Sequence, residues 1–317
     1  MQTLTLARDA MATRFELVLH GENVPALRAA GEEALDEVAR LENQLSLYRP
    51  GSEIAQLNAR AAREAVQVTP ELFSLLQHAR QLHAETGGAF DITIAPLVRC
   101  WGFMGANGRM PLPEEVVVAR DLVGMSHVEL DERYRTVRFE RKGVMLDLGA
   151  IGKGFAVGRA AETLRDAGVT SALIHGGTST IHAIGKPPDA PHWKVAIAQP
   201  PSAAEQIYFP DLPSIQLRDE AMSVSAPWGR SFASGGKPFG HVIDPRTGEP
   251  TEGALLAAVV LPSTTETDAL STALLTLGPA GHGHIARLRP GMRTLLVSKN
   301  DGVVQVETRG PFATAMA

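Results

Sequence analysis

"MLDLGAIGKGFAVGRAAETLRDAGVTSALIHGG", residues 145 to 177, is the stretch whose reading decides the fold. An apolar run ends on Asp147, and three glycines and Lys153 follow before a helix-like pattern begins. The order is strand, glycine loop, helix, strand, glycine turn. Such a βα unit has a connection short enough to bring the loop near the following "HGGTST". A glycine-rich approach to a helix N-terminus is a natural seat for a phosphate, because unpaired N–H groups and a partial positive charge meet there.

Two familiar phosphate motifs fail on these residues. A Walker A loop needs glycine where Asp147 stands and Ser or Thr where Gly154 stands. The dinucleotide fingerprint can start at Gly152 and Gly154, but its third glycine falls on Val157. Lys153 can still meet a phosphate oxygen as a mobile point charge, and Asp147 can accept from a ribose or a ring N–H. The same loop also reads as structural punctuation, and these residues alone do not choose between the two.

Outward from this unit, residues 13–20 alternate as a strand. Pro25 opens a helix with Leu27, Ala34, Leu35, Val38, Leu41 and Leu45 at helical spacing. A second helix starts at Pro70, carries Leu72, Leu75, Leu76, Ala79 and Leu82 on one face, and ends at Gly87. Between them "LSLYRPGSEIAQLN" is polar and turn-rich. Proline-rich stretches at 186–191 and 199–202 read as surface loops. "TETDALSTALLTLG" is a helix, and a hairpin turns around Asn300, Asp301 and Gly302. Strands and helices are mixed without strict alternation, so the class is α+β rather than a doubly wound sheet.

Two more stretches carry candidate chemistry. In "TETDALSTALL" Asp268 and Thr272 are four apart on one helix face, with Ser271 beside them. A carboxylate and hydroxyls are hard oxygen ligands suited to Mg²⁺. The competing reading is an acidic first turn complementing the helix dipole, with Thr264 or Thr265 as cap. In "FGHVIDPRTGEP", turn chemistry accounts for Asp244, Pro245, Thr247 and Gly248. It leaves His241, a proton acceptor near neutral pH or a satisfied structural side chain.

Composition narrows the partner. The 317 residues carry 35 acidic against 30 basic side chains, a net charge of -5, which argues against nucleic-acid binding as the main function. The single cysteine, Cys100, allows no internal disulfide and reads as a small apolar residue beside Trp101. No window approaches the roughly 18 apolar residues of a membrane span. Arg8, Asp9, Arg14 and Glu16 interrupt the region where a signal peptide is apolar, so the expectation is a cytoplasmic chain as written. A chain trimmed of its leader would read the same way and be periplasmic.

Taken in order, "MATRF" (from Met11), "LSLYRPGSEIAQLN", "TGGAFDITIAPLVRCWGF", "LDLGAIGKGFAVGRA", "IHGG", "HVIDPRTGEP" and "DALST" resemble the ApbE family, the FAD:protein FMN transferases. The resemblance implies one α+β domain over residues 1–317, with mixed sheets, packed helices and a flavin site between two lobes. It implies FAD contacts at Met11, Tyr48, Ala89, Phe90, Asp91, Asp147, Lys153 and Ile243, and an adenosine-side contact at Ser225. The implied Mg²⁺ site uses the Ala150 carbonyl with Asp268, Ser271 and Thr272, and His241 assists an acceptor hydroxyl. The implied reaction attaches FMN from FAD to a Thr or Ser of an acceptor flavoprotein through a phosphodiester and releases AMP. Water in place of the acceptor would make an FAD pyrophosphatase. Loss of transfer would leave a flavin-binding or delivery protein.

One segment departs from that resemblance. Family members read "TSG" followed by tyrosine and arginine, whereas this chain reads "SVSAPWGRSF". Ser225 is kept, Val224 and Ala226 replace Thr and Gly, and Arg230 is displaced by one place.

Overall fold

The computed structural model describes residues 1–105, 108–198, 212–300 and 302–312. The loop expected at 199–202 lies outside them, as does Asp301. The hairpin β1 (Gln2–Ala10) and β2 (Thr13–Gly21) is followed by α1 (Val24–Leu45), α2 (Glu53–Arg60), β3 (Val66–Gln67), α3 (Pro70–Glu85), α4 (Ala95–Cys100), α5 (Pro113–Arg120), β4 (Val128–Asp131) and β5 (Thr136–Phe139). Then come α6 (Gly152–Asp166), β6 (Ala172–Gly176), β7 (Thr180–Ile184), β8 (Trp193–Val195), β9 (Ile215–Leu217) and β10 (Ala221–Ser225). The chain closes with β11 (Ser231–Ser234), β12 (Lys237–Gly240), β13 (Ala254–Leu261), α7 (Thr264–Ile285), β14 (Arg293–Asn300) and β15 (Val303–Arg309).

Local chemistry sets most helix starts. Asn23 caps α1 by accepting from Ala26 N–H at 3.1 Å, and Thr69 caps α3 through Leu72 N–H at 3.4 Å. Ser52 does the same for α2, so the stretch read as polar and turn-rich contains a helix. A serine before Glu53, with Ile54 and Leu57 three apart, was the available signal. The cap of α7 is Ser263, whose hydroxyl accepts from Glu266 N–H at 3.3 Å, rather than Thr264 or Thr265. This helix also runs past the expected end, through a kink at Gly278 (φ 60°) ahead of Pro279.

The main sheet is antiparallel in the order β1-β2-β6-β7-β10-β13-β14-β15. Helices α1, α6 and α7 cover one face. Phe15, Leu17 and Leu19 of β2 reach into that core with Ala34, Val38, Val157 and Leu270, while Val18 belongs to the opposite face with Trp193. The α+β class holds, with antiparallel ladders rather than a βαβ crossover.

The expected strand ending at Asp147 is not part of a ladder. Residues 145–148 run extended beside α2, where the Asn58 amide takes the place of a strand: it donates to the Leu146 carbonyl at 2.9 Å and accepts from Leu146 N–H at 2.8 Å. Asp147 N–H then donates to the Ile92 carbonyl at 2.7 Å. The Leu146 N–H and carbonyl and the Asp147 N–H thus find partners without a neighbouring strand.

The glycines have a packing reason. Gly152, Gly154 and Gly158 all lie within α6. A Cβ at Gly154 would stand 2.3 Å from the Thr264 carbonyl oxygen and 2.6 Å from Asp268 Cβ, and one at Gly158 would stand 2.6 Å from Thr264 Oγ1. Spaced four apart, the two glycines form a groove on one face of α6 into which the start of α7 fits.

An ion network ties α7 to α3. Arg289 reaches Glu266 at 2.8 Å and Glu85 at 2.7 Å, and His78 lies 3.4 Å from Glu266. Hydrogen bonds from His78 and then Arg289 hold the Glu266 carboxyl down to about 2, from an ordinary 4.5. A depressed carboxylate stabilises the fold above its unfolded pKa, and that contribution fades as pH falls toward the folded value. Glu266→Gln should therefore lower stability at pH 7 by about 1–2 kcal/mol after solvent screening. Urea melts at pH 7 and below pH 3 should show the difference between variant and parent shrinking in acid; a constant difference would refute the linkage.

Candidate active site

The first turn of α6 lacks a side-chain cap of its own, because its N-cap position is Ile151. Asp268 of α7 supplies one from across the interface: Oδ2 accepts from Gly154 N–H at 2.8 Å. Its Oδ1 lies 3.9 Å from Lys153 Nζ, which also approaches the Gly149 carbonyl at 3.5 Å. Asp268 is buried and Lys153 is a quarter exposed, so the cation is the member of the pair that can reach outward. Residues 147–154 and 268–272 therefore meet, although more than a hundred positions separate them.

Hydroxyls continue from Asp268 along α7. Ser271 Oγ and Thr272 Oγ1 donate to the Asp268 carbonyl at 3.0 and 3.3 Å. Ser225, at the end of β10, lies 2.9 Å from Ser271 Oγ and 3.1 Å from Thr272 Oγ1. With those two protons committed to the carbonyl, the single Ser225 proton goes to one of the two neighbours at a time, and Ser271 and Thr272 keep lone pairs free to accept. One layer deeper, Ser223 and Thr267 repeat the contact at 2.8 Å. The period-two side chains of β10 match the i, i+4 face of α7. Ser225 thus joins the hydroxyls expected to hold metal, rather than standing apart from them.

Asp147 sits at the entrance to this turn. Its Oδ1 accepts from Gly149 N–H at 2.8 Å. Burial pushes its carboxyl above the ordinary range, opposed by that hydrogen bond and by the positive charges of Arg230 and Lys153. His241 feels the same two cations. Its Nδ1 lies 3.2 Å from the Arg230 carbonyl, which can only accept, so Nδ1 carries the proton and the neutral ring presents Nε2 as acceptor. Burial lowers its pKa more than the Pro227 and Arg230 carbonyls raise it, so the ring is neutral at pH 7.

The remaining candidate positions divide by which part of the residue is accessible. Phe90 and Ile243 are core side chains, Ile243 among Leu97, Trp101 and Val116. The Asp91 carboxylate is satisfied inward by Thr93 N–H at 2.7 Å, Thr93 Oγ1 at 2.6 Å and His83 Nδ1 at 3.1 Å. A ligand meeting Ala89, Phe90, Asp91 or Ile243 would touch backbone. Tyr48 is exposed. Met11 and Ala12 occupy the left-handed region (φ 51° and 58°) in the tight β1–β2 turn, a conformation uncommon outside glycine and asparagine. Met11 N–H donates to Glu42 Oε1 at 2.9 Å, and Glu42 Oε2 pairs with Arg49 at 2.7 Å, drawing the Met11 turn and the Tyr48 loop together.

Three contributors escaped the sequence reading. Trp101, read there as a neighbour of Cys100, donates its indole N–H to the Gly248 carbonyl at 2.8 Å and so anchors the turn that follows His241. The hairpin β11–β12 leads into His241, and its alternation of Phe232 and Phe239 with small or polar residues was the available signal. Arg230, noted in the sequence only as displaced by one place, is the third. The altered segment is closely packed: a Cβ at Gly240 would stand 2.7 Å from Pro227 Cβ.

Among the described residues no three His, Cys, Asp or Glu side chains converge as metal ligands. The Asp268 set is of another kind, one carboxylate with hydroxyls, and its oxygen donors suit a hard cation that keeps part of its shell for other ligands. The ApbE family pattern matches residues 11–296. The chain belongs to the ApbE family. It is 32% identical over 297 residues to an FAD:protein FMN transferase of Rhodobacter capsulatus, covering 92% of this chain and 54% of that one. The chain thus spans about half the length of that relative. An FAD:protein FMN transferase of Klebsiella pneumoniae (strain 342) is 28% identical over 304 residues, covering 93% and 92% of the two chains. The crystal structure of the ApbE protein of Thermotoga maritima superposes with a TM-score of 0.85 at 26% identity, over 96% of each chain. Among the described residues no helix is long and apolar enough to cross a membrane.

Proposed function

We propose that this ApbE-family protein is a Mg²⁺-dependent FAD:protein FMN transferase. The observation that carries the reading is the junction at Asp268, where one carboxylate, a cation at Lys153 and the Ser225–Ser271–Thr272 hydroxyls meet across α6, α7 and β10. The names of the relatives give the activity, and this donor set fits it.

The acceptor is a Thr or Ser hydroxyl of a flavoprotein. Its oxygen attacks the FMN-side phosphorus of FAD, the bond to the bridging oxygen breaks, and AMP leaves with that oxygen. FMN remains joined by a phosphodiester. The hydroxyl proton passes to His241 Nε2, the acceptor that the Arg230 carbonyl leaves open on the other ring nitrogen. Lys153 meets the diphosphate as a flexible point charge. The Ala150 carbonyl, Asp268, Ser271 and Thr272 would hold Mg²⁺, which supplies neutralisation of diphosphate charge when bound.

Incubation with FAD, Mg²⁺ and a lysate of a flavoprotein-rich strain, followed by a denaturing gel, should show a fluorescent band at the mass of another chain. Free FMN and AMP without a labelled band would replace transfer by hydrolysis. FAD bound but intact would make the protein a flavin carrier.

A further inference from the structure

Hairpin β11–β12 pairs Ser231 with Gly240 and Phe232 with Phe239. One step beyond its first pair, His241 N–H donates to the Arg230 carbonyl at 2.9 Å, so Arg230 and His241 continue the ladder as facing residues. Side chains alternate with period two, which puts Arg230 and His241 on the same face as Phe232 and Phe239. That face is turned toward the protein. The two phenylalanine rings stack at 5.3 Å and lie 6.4 and 5.8 Å from Trp101, and Phe103 stands edge-on to His241 at 6.5 Å. A Cβ at Gly108 would stand 2.2 Å from the Phe232 ring, so Gly108 itself packs directly against it. A free two-stranded hairpin is marginal in water, and this aromatic docking is what gives it a fixed register.

The docked hairpin delivers a guanidinium to the face that carries His241. Arg230 is exposed, and among the described residues no carboxylate lies within ion-pair distance of it. Its charge nevertheless acts on both Asp147 and His241, as does that of Lys153. Lys153 already faces Asp268 at 3.9 Å, which leaves Arg230 as the cation that has no carboxylate at ion-pair distance among the described residues, and an incoming anion would give it that partner. A planar guanidinium fork matches phosphate oxygens two at a time.

We propose that Arg230 is a further substrate-binding residue that grips the diphosphate of the dinucleotide together with Lys153, placed there by the Phe232–Phe239 clasp. The proposal rests on the transferase reading. It is tested by measuring binding of FAD, ADP and riboflavin to the parent protein, Arg230→Ala, Arg230→Lys and Phe232→Ala, each checked by thermal melting. Arg230→Ala should bind FAD and ADP about 10- to 100-fold more weakly while riboflavin, which has no phosphate, binds as before. Arg230→Lys should recover part of that loss, and Phe232→Ala should show the same selectivity for phosphate-bearing ligands. Unchanged FAD affinity in Arg230→Ala, or an equal loss for riboflavin, overturns the role of Arg230 while leaving the transferase reading intact. A parent protein that binds none of the three ligands overturns both.

Discussion

Asp268→Ala should lower flavin transfer at least about a thousandfold at saturating Mg²⁺, the scale of removing several kcal/mol of transition-state charge stabilisation. The carboxylate has two tasks that the substitution removes together. It caps the first turn of α6 through Gly154 N–H, and it supplies the single negative charge of the oxygen donor set. Loss of the cap alone costs about 0.5–2 kcal/mol of stability. Asp268→Asn separates the tasks, because an amide oxygen still accepts from Gly154 N–H while the charge is gone. The Asn variant should melt close to the parent and still fail to transfer. Gel fluorescence across a Mg²⁺ titration reads the outcome, and full labelling by either variant would remove Asp268 from the metal site.

His241→Ala should slow transfer by about 10²–10⁴, the range for a general base acting on a hydroxyl, with FAD still bound. The direction of the His241 pKa adds a second readout. Burial holds the ring below the ordinary imidazole range, so in the parent protein the neutral base persists as pH falls through that range. Transfer by the parent should decline only at lower pH, and that limb should vanish from the residual rate of the variant. A pH–rate profile measures both. If the variant lost FAD binding, His241 would hold structure through its contacts with Arg230 and Phe103 instead.

Much of the framework was legible from residue order. Pro25 and Pro70 mark true helix starts because each follows a capping side chain, and the apolar spacing behind them becomes the buried faces of α1 and α3. The hydroxyls and carboxylate of "DALST" share one helix face, as their spacing requires. Residues 145–148 misled because an apolar run does not reveal its partner. The backbone groups are satisfied by the side chain of Asn58 on α2, a contact between residues 88 positions apart. The glycines misled in the opposite sense. Gly152 and Gly154 read as a flexible loop, yet both are helical, and Gly154 makes room for Thr264.

By itself the sequence determined the local elements and the chemical kinds of side chain in play: an acid and a lysine flanking glycines, a carboxylate with hydroxyls on one helix face, a histidine before a turn. Those properties depend on neighbours within a few positions, and caps and periodicity express them directly. Only the tertiary structure decided that α7 enters the groove of α6, that Ser225 joins Ser271 and Thr272, and that aromatic rings on two distant segments set Arg230 opposite His241. Such placements follow from packing between elements far apart along the chain, where the fit of one surface against another, rather than the spacing within either, selects the contact.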